Sequence, residues 1–161
     1  MQFATPSSPH TPLPNDVQRV MLQVLLALVP GAFAMGFYFG IGVWINIWIA
    51  CAAAVGFEAL MLRARGKPVG IFLSDWSAVV TAVLFALCIP PLAPWWIACV
   101  GMFFAIVLAK HLYGGLGQNV FNPAMVGRTF LTASFGVLMT TWAVPYTMDS
   151  DMSKIAPENI S

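Results

Sequence analysis

Val20 to Phe57 reads VMLQVLLALVPGAFAMGFYFGIGVWINIWIACAAAVGF, 38 residues without one charged side chain. A membrane-crossing helix needs about 20 predominantly apolar residues, so this stretch is long enough to cross twice. Trp76 to Ala109 is a second uncharged stretch of 34 residues, and Thr129 to Met148 a third of 20. By the same measure these provide two crossings and one. The spacing of charge therefore predicts five transmembrane spans. Composition agrees: 60% of the 161 residues are hydrophobic and 8% are charged, against about 25% charged in ordinary soluble chains. A soluble fold of this length would lack the polar groups to cover itself, so the expected solvent is lipid.

Working outward, Met1 to Arg19 is a polar arm carrying Pro6, Pro9, Pro12 and Pro14, which favour extended backbone over helix. It does not read as a cleavable leader, because the apolar run beginning at Val20 is too long for one. The first span is expected over Val20–Phe37, with Pro30 bending it, and Gly36, Gly40 and Gly42 mark a tight turn. The second covers Val43–Leu62 and closes on the basic residues Arg63, Arg65 and Lys67. The third covers Ser77–Ile89 and stops at Pro90-Pro91-Leu92-Ala93-Pro94, which cannot continue a helix. Trp95 and Trp96 open the fourth as interfacial anchors, and it reaches Lys110. A glycine-rich connection leads to a fifth span over Pro123–Trp142. The expected fold is all-α and polytopic, with a glycine-broken connection between the fourth and fifth spans that has room to re-enter the membrane. Residues 1–19 form the arm, 20–142 the membrane domain and 143–161 a tail.

Five spans place Arg19, Arg63, Arg65, Lys67, Lys110 and Arg128 on one side of the membrane and only Lys154 on the other, with Asp149, Asp151 and Glu158. The positive-inside bias then makes the N-terminus cytoplasmic and the tail non-cytoplasmic. The net charge of +1 and the lack of a basic patch with interleaved aromatics argue against a nucleic-acid partner. Cys51, Cys88 and Cys99 lie within apolar stretches without metal-ligand or redox spacing and read as small hydrophobes. No metal site is expected.

One segment has a composition that a lipid-facing helix does not need: Lys110-His111-Leu112-Tyr113-Gly114-Gly115-Leu116-Gly117-Gln118-Asn119-Val120-Phe121-Asn122-Pro123. Gly114, Gly115 and Gly117 allow a ligand to approach the main chain closely. Asn122 is a good N-cap and Pro123 a good first-turn residue, so a helix should begin there with its positive dipole end toward the loop. Asn119 and Asn122 are three residues apart, and an amide offers donors and an acceptor without the cost of burying charge. That suits a neutral hydrogen-bonding ring. A plain turn, with glycines ending one helix and Asn-Pro capping the next, accounts for the same residues. The segment is neither a dinucleotide fingerprint nor a P-loop, since Val120 stands where a third glycine would and no Gly-Lys-Ser/Thr follows.

The run LYGGLGQNVFNPAMVGR at residues 112–128, with SSPHT at 7–11 and IPPLAPWW at 89–96, resembles the D-type membrane subunit of the Rnf-type ion-translocating electron transport complex. It is also similar to the B-type membrane subunit of the sodium-pumping NADH:quinone oxidoreductase, which shares the GGxGxNxFNPA core. The resemblance implies a flavin-binding membrane subunit that relays electrons, coupled to Na+ or H+ transport, inside a complex of several membrane subunits. Such a subunit serves a redox-driven translocase and is not expected to act alone. It also implies FMN joined through its phosphate to a threonine, and in the relative a non-covalent riboflavin. By that resemblance Asn119 and Asn122 meet the non-covalent flavin. The family's flavin-linked threonine sits in a Ser/Gly-Ala-Thr context that this sequence lacks, since Thr140, Thr141 and Thr147 are set otherwise. The chain is expected to correspond to the N-terminal half of such a subunit.

Five further residues bear charge or polarity near span ends. Glu58, one turn inside the basic end of the second span, reads either as an ion-path ligand or as an interfacial acid paired with Arg63 and Arg65. Asp75 and Ser77 read as caps of the third span. Lys110 and His111 read as interfacial basic anchors or as partners of a flavin's polar edge. Two rival functions remain open: a channel using the Asn122-Pro123-Ala124 box, although aquaporin-like pores need two such boxes, and a structural membrane scaffold.

Overall fold

The computed structural model describes residues 17–67, 70, 73, 75–112 and 121–145. Among these, regular structure is helical throughout. Helix α1 spans Val17–Phe39 and α2 spans Gly42–Ala64. Helix α3 spans Ser77–Ala86, and α4 spans Trp95–Phe103 and runs on without a break as a π-helix over Phe104–Leu112. Helices α5, Pro123–Ser134, and α6, Gly136–Thr140, complete the order.

Three of these are long and apolar enough to cross a membrane: Gln18–Phe39, Gly42–Ala64 and Trp95–Leu112. Pro30 is accommodated inside α1. The turn to α2 falls where the glycines predicted it. Gly40 adopts φ +81°, which a side chain would oppose, and its N–H donates to the Gly36 carbonyl at 3.0 Å. Helix α2 ends on a second left-handed glycine, Gly66 at φ +64°. There Gly66 N–H reaches Arg63 O and Lys67 N–H reaches Leu62 O, both at 3.0 Å. Those bonds satisfy carbonyls that a helix C-terminus otherwise leaves orphaned.

The expected third and fifth spans take shorter forms. Helix α3 has only 10 residues, or about 15 Å at the α-helical rise, half of the hydrocarbon thickness. Its start is fixed by Trp76, held left-handed at φ 60°, and its end by the Pro90-Pro91 turn. The fifth region divides at Phe135 (φ −130°, ψ 46°) into α5 and α6. The hydroxyls of Thr132, Thr140 and Thr141 each donate to a carbonyl four residues earlier, at 2.9, 2.9 and 2.7 Å. Such back-bonding bends helices, and Gly136 beside the break removes the remaining side-chain resistance.

The core is built on small residues. Ala50 and Ala54 of α2, Ala82 and Phe85 of α3, Ile97, Ala98 and Met102 of α4, and Leu131 of α5 form one buried cluster. Within it α4 and α5 meet backbone to backbone: a Cβ built on Gly127 would lie 2.6 Å from the Gly101 carbonyl oxygen. Small residues at such crossings are how helices associate where lipid supplies no hydrophobic drive. Phe104 and Phe130 extend the same contact as a stacked pair, centroids 3.4 Å apart. Trp96 packs edge-on against Phe135 at 5.2 Å, whereas Trp95 stays exposed in the anchor position. Helix α1 stands at the periphery, with 6% of its apolar window buried against 50% for Trp95–Leu112.

One buried amide joins the layers. Asn46 in α2 donates from Nδ2 to the Pro90 carbonyl at 3.1 Å. Pro90 and Pro91 have no N–H of their own to satisfy, so this bond leaves the buried chain reversal with fewer polar groups to place.

Candidate functional site

Three buried ionisable groups converge at one place, between α2, α3 and the π-helix that continues α4. Glu58, Lys110 and His111 are 3%, 3% and 5% exposed. Lys110 Nζ donates to Glu58 Oε1 at 2.8 Å and to Ser77 Oγ at 2.8 Å. Ser77 Oγ in turn donates to Asp75 Oδ1 at 2.7 Å. The same Asp75 oxygen accepts from Ser77 N–H at 2.9 Å, a local Asx-type turn of the kind that starts helices. His111 Nε2 lies 3.2 Å from Glu58 Oε2. That contact lacks hydrogen-bond alignment, so both atoms remain without a directed partner among the described residues. Arg65 Nη2 closes the group by donating to the His111 main-chain carbonyl.

Burial of this kind needs the whole set. Removing two charges from water costs several kcal/mol per ion, recovered only with good geometry and extra hydrogen bonds. Lys110 has both, through a carboxylate and a hydroxyl. The wide winding of the π-helix lets two adjacent residues, Lys110 and His111, face one carboxylate. The π-helix ends at Leu112, immediately before the glycine segment.

The sequence-predicted roles separate accordingly. Glu58 does not pair with Arg63 or Arg65; both are exposed, and Lys110 and His111 take that place. Neither Lys110 nor His111 is a water-facing anchor, because both are buried. Both side chains face Glu58, at 2.8 Å for Lys110 Nζ and 3.2 Å for His111 Nε2. Asp75 and Ser77 do form a helix-start motif, and Ser77 adds the link to Lys110 that local sequence could not suggest.

Asn122 caps α5 as expected. Its Oδ1 accepts from Ala124 N–H at 3.0 Å, with Pro123 in the first turn. The cap uses only the amide oxygen, and the residue is exposed. Gly114, Gly115, Gly117 and Asn119 lie outside the described residues. The structure therefore places one of the five candidate binding residues and fixes both flanks of the other four. Sequence reasoning missed Asn46, whose only signal was a lone amide within an apolar run. It also missed the Glu58–Lys110 pairing. The signal there was topological: the second and fourth spans end on the same side, so their terminal charges are neighbours.

Compared with known proteins, residues 4–158 match the model of the NQR2, RnfD, RnfE family. Among curated relatives, the D-type subunit of the ion-translocating oxidoreductase complex of Ectopseudomonas mendocina is 53% identical over 140 residues, 87% of this chain and 41% of that protein. Its namesake in Shewanella amazonensis is 49% identical over 148 residues, 92% of this chain and 42% of that protein. The one in Escherichia fergusonii is 48% identical over 146 residues, 91% and 42%. The chain thus spans about two fifths of the length of these relatives.

Proposed function

The chain belongs to the NQR2, RnfD, RnfE family, and from that membership we propose that it serves as a flavin-binding membrane subunit of an ion-translocating oxidoreductase complex. In this reading the subunit relays electrons in a redox step coupled to Na+ or H+ transport. It works in the bacterial inner membrane beside other membrane subunits. The observation that carries the reading is identity of about half over nearly the whole chain to proteins named for that complex.

The donor set agrees with a neutral ring ligand. Asn122, exposed at the start of α5, presents an amide beside the helix's positive end. Asn119 and the backbone of Gly114, Gly115 and Gly117 would complete the cradle. A flavin held there supplies the electron-transfer chemistry, and the protein's part is to hold and orient it. Glu58, the one buried acid among the described residues, is the side chain that a translocated ion would meet.

Five crossings complete the proposal, with the N-terminus cytoplasmic. Helices α1, α2 and the α4–π helix cross by length alone. Helix α3 with its proline turn, and α5 with α6, make the other two. The test is to purify the protein with the subunits that accompany it and record visible absorption. Bound flavin that extracts without protease supports the non-covalent site; a colourless preparation overturns it.

A further inference from the structure

We propose that the ion exchanged at Glu58 is a proton rather than Na+, passed in from Asp75 through Ser77 and Lys110. The inference rests on the reading of Glu58 as the side chain that a translocated ion meets, and adds the ion's identity and its way in.

Ligand chemistry decides against a metal cation. Hard cations take about six or more oxygen ligands. Here Lys110 Nζ already holds Glu58 Oε1 and Ser77 Oγ, each at 2.8 Å, and a fixed ammonium repels a second cation. The neighbouring main-chain carbonyls are engaged as well. Ser77 O accepts from Thr81 Oγ1 at 2.9 Å, and His111 O accepts from Arg65. A proton needs only one lone pair, and Glu58 Oε2 offers it. That atom and His111 Nε2 are buried, 3.2 Å apart, without a directed partner among the described residues. Such a gap admits a hydrogen and no other atom.

A continuous chain of hydrogen bonds leads to that carboxylate. Asp75 is half-buried and its neighbour Trp76 is exposed, so the chain begins at the edge of the helical core. Ser77 Oγ donates to Asp75 Oδ1 at 2.7 Å and accepts from Lys110 Nζ, which also donates to Glu58 Oε1. Inward transfer starts when Lys110 gives a proton to Glu58, which cancels two buried charges. The amine then takes the Ser77 hydroxyl proton, and Ser77 takes one from a protonated Asp75. One proton has moved from Asp75 to Glu58, Lys110 is an ammonium again, and the Lys110–Ser77–Asp75 hydrogen bonds are restored. The groups facing Glu58 are thus Lys110 and His111 of the π-helix and, through Lys110, Ser77 and Asp75 at the start of α3. Among the described residues, the other cations stand apart: Arg65 reaches the His111 carbonyl, and Arg19, Arg63, Lys67 and Arg128 are exposed. Helix α4 carries no charged residue.

Infrared difference spectra of the protein, purified with its accompanying subunits, test this without an electron donor. On passing from alkaline to acid buffer, a carboxylic-acid carbonyl band is expected that Glu58→Gln abolishes. Replacing choline chloride by NaCl at constant pH should leave that band unchanged. Asp75→Asn keeps the side-chain oxygen that starts α3 but cannot carry the proton. In that variant Glu58 should protonate about a hundredfold more slowly after a pH jump, the low end of what a positioned proton-transfer group contributes. A purely structural role for Asp75 would leave the rate unmoved, and an unmoved rate overturns the proposed route. A Glu58 signal that NaCl suppresses or shifts overturns the proton and keeps the ion reading. No response of Glu58 to either pH or NaCl overturns both.

Discussion

Lys110 Nζ lies 2.8 Å from Glu58 Oε1 across 52 residues of sequence, with both side chains about 4% exposed. That one distance ties α2 to the end of the π-helix that continues α4. Ser77 accepts a second hydrogen bond from the same ammonium, so three helices depend on a single cation.

Breaking the pair from one side should therefore cost more than removing it whole. Glu58→Ala or Lys110→Ala each leaves a buried charge uncompensated, an effect of about 3–5 kcal/mol. The double variant Glu58→Gln with Lys110→Met replaces both charges by groups of similar shape and should lie closer to the wild type than either single alanine variant. Unfolding of the detergent-solubilised protein in graded denaturant measures this. Additive losses in the double variant would show that the two side chains do not act as a pair.

Asn122 carries two separable tasks, and serine divides them. Asn122→Ala loses the cap, about 0.5–2 kcal/mol of helix stability, and with it any amide contact to a flavin. Asn122→Ser keeps a capping oxygen but has no amide. The expected outcome is that serine preserves stability and still lowers non-covalent flavin content by roughly five- to hundredfold, the equivalent of about 1–3 kcal/mol for an unpaired ligand group. Extracted flavin per protein and a thermal melt decide it together. Flavin retained in the serine variant would limit Asn122 to its cap.

Charge spacing made the helical membrane character legible, because uncharged runs of that length have no other use. Turn positions were equally legible at Gly40 and Pro90-Pro91, where backbone conformation is dictated by residue type. The form of the third and fifth regions was not. A stretch of apolar residues looks the same whether it is one helix or two. Only the Thr hydroxyls and the Phe135–Gly136 break distinguish them in three dimensions. At the candidate site, local rules found the Asn122 cap and the Asp75–Ser77 turn, whose partners are two residues away. Of their two readings of Glu58, the pairing with Arg63 and Arg65 fails because Lys110 and His111, distant in sequence, take that place.

The α4–α5 crossing should be intolerant of any side chain at its centre. Gly127→Val would drive Cβ against the Gly101 carbonyl, already 2.6 Å away, and against the Ala105 methyl at 3.2 Å. Overpacking of this kind costs about 1–3 kcal/mol or more, and here the opposing atom is backbone, which cannot rotate aside. Gly31→Ala, where the structure leaves the space open, is the matched control and should change the melting temperature little. Equal melting of Gly127→Val and wild type would mean that the helices separate at this point without cost.

The proposed five-crossing topology makes its own demand on Asn46. Helix α3 covers about half the hydrocarbon thickness, so residues beyond Ala86 must travel the rest as non-helical backbone. Such backbone is tolerated at membrane depth only where it is buried in protein and its polar groups are met. Both conditions hold here. Pro90 and Pro91 are buried and contribute no N–H, and Asn46 Nδ2 satisfies the Pro90 carbonyl at 3.1 Å. Asn46→Leu should therefore destabilise the protein by about 1–3 kcal/mol, the cost of an orphaned buried acceptor, although it makes α2 more apolar. The same geometry sets the orientation of the helices after the proline turn. Reporters fused after Lys67 and after residue 145 should lie on opposite sides of the membrane, cytoplasmic and non-cytoplasmic respectively. Reporters on the same side would remove one crossing, and a stable Asn46→Leu would identify the proline turn as the place where the chain leaves the membrane.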